Sequence, residues 1–134
     1  MPFVTLLIAG FHGLLLLMLL VPIVAARRGK RIGLGDGGDP LLLRRIRVHA
    51  NFIEYVPFVL LLIALLEMTG LGRGWVALLG GALLVARVLH AIGLSGSAGV
   101  SFGRFWGTLL TWCVILAASV IAIVRAAESL TLHA

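Results

Sequence analysis

The chain is short of charge. Of its 134 residues only 12% are charged, where a soluble domain averages about a quarter. That deficit excludes an ordinary water-exposed globule. Period-2 alternation is missing as well, so nothing reads as a strand. The one cysteine, Cys113, cannot form an internal disulfide. It sits between Trp112 and Val114 in an apolar run, and its thiol is expected to be buried by packing. No group of cysteine, histidine and carboxylate has metal spacing, so no metal site is expected. The first apolar run has no basic segment before it, is too long for a signal-peptide core and carries its charges after it. That pattern argues against a cleaved leader.

What is present is apolar. Hydrophobic residues make up 61% of the chain, and they come in blocks of about 20, the length that crosses roughly 30 Å of hydrocarbon at a helical rise of 1.5 Å per residue. Four spans are expected, at about 3–26, 43–68, 74–95 and 103–125. The fold class that follows is an all-α integral membrane protein, a four-helix transmembrane bundle forming one domain over residues 1–134.

The net charge of +6 invites a nucleic-acid reading, but its distribution argues otherwise. Arg27, Arg28, Lys30, Arg31, Arg44, Arg45 and Arg47, seven of the eleven basic residues, surround the first loop. Arg87 and Arg104 flank the third. The second loop has only Arg73, and the C-terminal end only Arg125. Under the positive-inside rule, loops one and three face the cytoplasm and both termini lie on the other side. For Lys30, Arg31, Arg44 and Arg45 a topology signal is a sufficient role. No nucleic-acid partner is implied.

Helix 1 closes on Arg27-Arg28-Gly29, with a basic pair suited to a helix C-terminus and a glycine able to stop it. The loop Gly33-Leu34-Gly35-Asp36-Gly37-Gly38-Asp39-Pro40 formally matches a dinucleotide fingerprint. No strand precedes it and an aspartate sits inside the would-be phosphate cradle, so the match is rejected. Pro40 suits a helix start, and Pro57 is expected to free the Ile53 carbonyl and kink helix 2. Helix 4 carries Gly103, Gly107 and Thr111 as a small-residue stripe suited to close helix contact. Phe102, Phe105 and Trp106 fit an interfacial aromatic belt.

The informative segment is Arg47-Val48-His49-Ala50-Asn51-Phe52-Ile53-Glu54-Tyr55-Val56-Pro57. Arg47, Asn51, Glu54 and Phe58 fall on one helical face, inside a run otherwise fit to cross a membrane. A charge at mid-bilayer costs roughly 2.5–3.5 kcal/mol even on the lenient insertion scale, so such groups face a partner helix, a cavity or a ligand. Arg87 and His90 share a face of helix 3. By helix rise, the polar faces of the two helices meet at one depth. The plain alternative is an internal staple, with Arg87 pairing Glu54 across helices. His49 and His12 read as helix-contact histidines, and Glu67 as a solvated residue near the far membrane face.

The motif Arg47-x-His49-x-Asn51-x-x-Glu54-Tyr55-x-Pro57 resembles the second-helix signature of the membrane-associated proteins in eicosanoid and glutathione metabolism, the MAPEG family. Gly35-Asp36-Gly37-Gly38 before it resembles the bacterial branch of microsomal glutathione transferases. Arg87-x-x-His90 and Arg104 extend the likeness, and the four-span layout covers essentially the whole chain. The resemblance implies a bacterial inner-membrane homotrimer that binds glutathione as co-substrate at each subunit interface, open to the cytoplasm. It implies that Arg47, Asn51, Glu54 and Tyr55 hold glutathione from helix 2, and Arg87 and His90 from helix 3 of a neighbour. Arg28 matches a helix-1 arginine of the family, with Arg27 close behind. Arg104 corresponds to the arginine that keeps the thiol as a thiolate, the catalytic position. The partners implied are a hydrophobic electrophile or lipid hydroperoxide and the membrane lipid itself.

Residue chemistry agrees with that ligand. Glutathione has two carboxylates, an ammonium and a thiol. Arginine recognises carboxylates in bidentate fashion, Glu54 suits the ammonium, and Asn51 can both donate and accept. A free thiol has a pKa of about 8.5, and an adjacent arginine lowers such a value by about 1–3, giving a nucleophile at neutral pH. Leu94 and Phe105 stand where several eicosanoid synthases have a tyrosine and a serine, which speaks against a prostaglandin-type isomerase. Three functions fit: a glutathione-dependent membrane transferase or peroxidase, a small transporter, and a non-catalytic scaffold that keeps the fold. The polar groups keep to one half of helices 2 and 3, which disfavours a path across the membrane.

Overall fold

A computed structural model describes residues 1–96 and 99–132. Four helices carry the chain: α1 (Phe3–Lys30), α2 (Pro40–Met68), α3 (Arg73–Gly96) and α4 (Phe102–Leu132). Each is long and apolar enough to cross a membrane. Short connections make successive helices antiparallel. The part of the third loop at Ser97 and Ala98 lies outside the described residues.

Length and capping explain where the helices begin and end. Asp39 caps α2 by accepting from the Leu41 amide at 3.0 Å, with Pro40 in the first turn as expected. Helix α1 does not stop at Gly29. It runs through Lys30 and ends on Arg31, which takes a left-handed conformation (φ 54°) and returns its amide toward Arg28. Helix α2 continues without a break through Pro57. Helix α4 runs to Leu132, beyond the expected end at 125. At 31 residues it is about 46 Å long, so its last turns project past a hydrocarbon layer of roughly 30 Å.

The core lies between α2, α3 and α4. Val59, Ile63, Leu66, Val76, Leu79, Leu83, Val114 and Ala118 are buried together there. Helix α1 packs on α2 and α3, with His12 buried beside Phe52, its Nδ1 2.9 Å from the Ile8 carbonyl. The outer surface is apolar, with Leu14, Leu61, Ile92, Leu116 and Ile123 all exposed. That is the surface of a bundle whose solvent is lipid. Cys113 belongs to it: the thiol is exposed rather than buried, because α4 buries the stripe Gly107, Thr111, Val114 and Ala118 and turns Cys113 outward.

The closest helix pair is α3 with α4, and glycine makes it possible. A Cβ on Gly107 would meet the Ala86 carbonyl oxygen and the His90 amide at 2.6 Å, and one on Gly103 would meet the Leu89 carbonyl at the same distance. The small-residue stripe is thus a backbone contact, as its spacing predicts.

Glu67 departs from expectation. Rather than being solvated, its carboxylate accepts from the Val4 amide at 3.0 Å, the Thr5 amide at 2.8 Å and the Thr5 hydroxyl at 2.6 Å. Helix α1 has no side-chain cap of its own. Its first-turn amides are satisfied instead by an acid at the end of the antiparallel neighbour, where the helix dipole also favours negative charge.

Candidate functional site

The polar residues gather at the basic end of the bundle. Arg87 is only 2% exposed. Its Nη2 donates to Asn51 Oδ1 at 2.6 Å and its Nη1 to Thr111 Oγ1 at 3.2 Å. The Tyr55 ring lies 5.8 Å from its guanidinium carbon. The Thr111 hydroxyl in turn donates to the Gly107 carbonyl at 2.7 Å. One guanidinium therefore ties α2, α3 and α4 together, using neutral partners. Among the described residues no ion pair joins Arg87 to Glu54, so the cross-helix staple exists but with Asn51 as its acceptor. Both terminal nitrogens of Arg87 bond within its own bundle, and a role toward a neighbouring subunit's site belongs with the trimer proposed below.

Beside this knot lies a cleft of 250 Å³ lined by Leu43, Arg44, Arg47, Asn51, His90, Leu94 and Arg104. Helices α2, α3 and α4 of a single chain supply it. His90 is buried, and its Nδ1 has no hydrogen-bond partner among the described residues. A buried imidazole nitrogen calls for a hydrogen-bond partner, and this one stands at a cleft wall. Arg47 and Arg104 are exposed and bring their charge to the mouth.

Arg104 is placed by the start of α4. Ser101, just before the helix, donates to the Gly93 carbonyl at 2.9 Å and accepts from the Arg104 amide at 3.4 Å. The first turn of α4 is thereby pinned to α3. On its other side Arg104 borders an apolar groove of 400 Å³ lined by Val100, Phe105, Thr108, Leu109 and Trp112. Phe105 meets Trp106 edge-on at 5.4 Å, and Phe102 stands 6.0 Å from Trp106. One cation thus separates a polar cleft from an aromatic-walled apolar groove.

Not every expected residue reaches the cleft. Arg47, Asn51, His90 and Arg104 line it. Tyr55 lies behind it against Arg87. Glu54 is exposed on the outer face of α2, and Arg28 is exposed at the end of α1. The alternative residue Arg27 donates to the Gly35 carbonyl at 3.1 Å and so braces loop one. Arg44 was expected to serve topology alone, yet it lines the cleft. Its position one turn before Val48 on α2 was the available signal, since Arg44, Arg47 and Asn51 follow a helical 3–4 spacing.

A four-helix membrane protein with a basic, asparagine- and histidine-lined cleft opening at one end is the class that fold and site define. The chain belongs to the MAPEG family: the family's model matches residues 5–124. It is also 34% identical over 113 residues to the inner membrane protein YecN of Escherichia coli K12, covering 84% of this chain and 85% of that protein. The protein of the same name from Escherichia coli O6:H1 matches equally. The chain is therefore an integral membrane protein with an inner-membrane homologue.

Proposed function

We propose that the protein is a glutathione-dependent membrane transferase or peroxidase acting on lipid-soluble electrophiles. The observation that carries this reading is the position of Arg104, between the polar cleft and the apolar groove. A glutathione carboxylate would meet Arg47 at the cleft mouth, and its amides Asn51 and the unpaired His90 nitrogen. Its thiol would lie by Arg104, which favours the thiolate. The sulfur lone pair would then attack an electrophile lying in the groove, displacing its leaving group, with the thiol proton lost to water. Arg87 would act behind the ligand by holding Asn51, with the Tyr55 ring against its guanidinium.

Glu54 and Arg28 remain assigned to the glutathione site through a second copy. Both are exposed outside the single-chain cleft, so a homotrimer that packs another chain against α2 is part of the proposal. A stable monomer in native mass spectrometry would remove it. Loops one and three are proposed to face the cytoplasm. A thiol at Gly33, where an added Cβ meets nothing within 4 Å, tests this in a Cys113→Ala background. Labelling by an impermeant reagent from outside intact cells would reverse the topology.

Calorimetry of the detergent-purified protein with glutathione tests the central claim. Saturable binding lost in Arg47→Ala supports it; absence of binding by the folded wild type rejects it. The second reading, a non-catalytic scaffold, draws on the Arg87 knot, in which both terminal guanidinium nitrogens are paired within the chain without any ligand. Binding without turnover would favour it.

A further inference from the structure

A second groove lies at the same end of the bundle but on the opposite side of Arg44. It measures 270 Å³ and is lined by Met18, Leu19 and Pro22 of α1, by Leu41, Arg44, Arg45 and Val48 of α2, and by Ser95 at the end of α3. It shares only Arg44 with the glutathione cleft. We infer that this groove holds one anionic phospholipid of the surrounding leaflet, its phosphate against Arg44, Arg45 and Ser95 and an acyl chain along Met18, Leu19 and Val48.

The lining is ordered by depth. Helix α2 enters from the basic end, so Val48 lies about 5 Å deeper than Arg44 and Arg45. Helix α1 runs toward that end, so Met18 lies deeper than Pro22. Ser95 closes the outer end. Apart from Leu41, about one turn further out on α2, and Pro22, level with Arg45, the polar groups therefore stand toward the membrane surface and the apolar ones inside, which is the layout of a lipid headgroup and tail. Among the described residues no carboxylate lines the groove. The nearby Asp39 is already engaged, with Oδ2 2.6 Å from Lys30 Nζ. The Arg44 Nε is buried with no partner among the described residues. Arg45 spends one nitrogen on a 3.3 Å bond to the Pro22 carbonyl, which fixes its guanidinium at the rim and leaves the rest of the fork open.

The charge selects the occupant. Two guanidinium groups suit a phosphodiester with no cation of its own, whereas a zwitterionic headgroup brings a competing ammonium. A soluble anion would make no use of the apolar floor. Basic residues near the surface of an anionic leaflet each contribute about a fivefold gain in lipid affinity.

Native mass spectrometry of the full chain in a non-ionic detergent tests this, with phosphatidylglycerol and phosphatidylcholine of matched acyl chains added in turn. Phosphatidylglycerol should be retained preferentially. Arg45→Gln should cut its retention about fivefold, and Ser95→Glu, an exposed position, should abolish it by placing a carboxylate where the phosphate sits. Arg73→Gln, at the other end of the bundle, should change nothing. Neither Arg45 nor Ser95 lines the glutathione cleft, so glutathione binding should survive both variants. Equal retention of the two lipids overturns the inference. So does displacement of phosphatidylglycerol by millimolar inorganic phosphate, which would mark a soluble-anion site. A changed oligomer mass in Ser95→Glu with lipid retention intact would show that a second copy covers the groove, and it too overturns the inference.

Discussion

Arg87 Nη2 and Asn51 Oδ1 lie 2.6 Å apart, joining the middle of α3 to the middle of α2. The pair is asymmetric. Arg87 is buried and depends on Asn51 for its best acceptor, while Asn51 also lines an open cleft. Removing the acceptor leaves a buried cation underpaired; removing the cation leaves an amide that water can reach.

The consequence is a reversal of the usual order of severity. Asn51→Leu should destabilise by about 1.5–3 kcal/mol, the scale of a hydrogen bond to a charged group. Arg87→Met should cost less, because an apolar side chain of similar length fills the same space without the desolvation cost of the charge. Thr111 keeps its bond to the Gly107 carbonyl in either case. Denaturant unfolding of the purified protein in detergent reads the difference. A larger loss in Arg87→Met would mean that the guanidinium contributes net stability of its own.

Glu67 caps α1 from α2, so its loss should be felt on the other helix. Glu67→Ala should expose the Val4 and Thr5 amides, costing about 0.5–2 kcal/mol, as for other helix caps. Glu67→Gln keeps one carbonyl acceptor and should lie between. Hydrogen exchange at the first turn of α1 is the direct measurement, and protection unchanged in Glu67→Ala would show that the contact has no energetic weight.

How much of this was legible in the sequence varied with the range of the interaction involved. Helix number, the start at Pro40, the backbone contact at Gly103 and Gly107, and the shared depth of the α2 and α3 polar faces all follow from periodicity and rise. The Glu67 cap did not, because it joins residues more than sixty positions apart. An acid ending one antiparallel helix beside the bare start of another was the readable hint. The extension of α4 was missed because hydropathy measures the apolar layer, whereas helical hydrogen bonding continues past it into Ala126, Ala127 and Glu128. Cys113 was misplaced for want of one step. The stripe Gly103, Gly107, Thr111 continues through Val114 and Ala118, and that continuation turns Cys113 toward lipid. Arg44 was hidden among topology arginines, since only the rotation of α2 reveals which of them face inward.

The close approach of α3 and α4 sets the cleft, so it can be opened deliberately. Gly107→Val must push the helices apart to clear the Ala86 carbonyl and the His90 amide, at about 1–3 kcal/mol, and should displace His90 from the cleft wall. Gly10→Ala, where an added Cβ meets nothing within 4 Å, should instead be neutral or slightly stabilising through helix propensity. Thermal unfolding of the two variants separates packing from propensity. Equal effects would contradict the contact.

The Asp39–Lys30 pair makes loop one sensitive to acid. The Lys30 ammonium at 2.6 Å, with help from the Leu41 and Leu42 amides, holds the Asp39 carboxyl below its ordinary value of 3.8. The folded pKa is depressed, so the stabilisation is complete above the unfolded value and disappears as pH falls through the folded one. Local protection at the start of α2 should therefore weaken only below about pH 4. High salt should reduce it at all pH, because the pair is exposed. Asp39→Asn should flatten the pH profile while keeping most of the cap. A profile unchanged by that substitution would assign the acid response to another group.

Arg47 and Arg104 border the same cleft, and the proposed chemistry gives them different kinetic signatures. Arg47 would meet a carboxylate that is charged before, during and after reaction. Its interaction is uniform, so Arg47→Ala should weaken glutathione binding by roughly 10- to 150-fold, the equivalent of about 1.5–3 kcal/mol, with little change in turnover at saturation. Arg104 would meet a sulfur whose charge exists only once the proton has left. Arg104→Ala should leave affinity for neutral-thiol glutathione nearly unchanged while lowering turnover toward a generic aryl halide, because stabilisation specific to the reacting state is lost. The ultraviolet absorbance of the bound thiolate should fall in step with turnover. Folding must be matched first, which is reasonable for Arg104 because its side chain is exposed and makes no hydrogen bond on which the start of α4 depends; that turn is held by Ser101. If Arg104→Ala keeps both the thiolate signal and full turnover, the activating group lies elsewhere in the cleft, and His90 with its unpaired nitrogen is the next to vary. If wild type binds glutathione with neither signal nor turnover, the cleft is a binding site without chemistry.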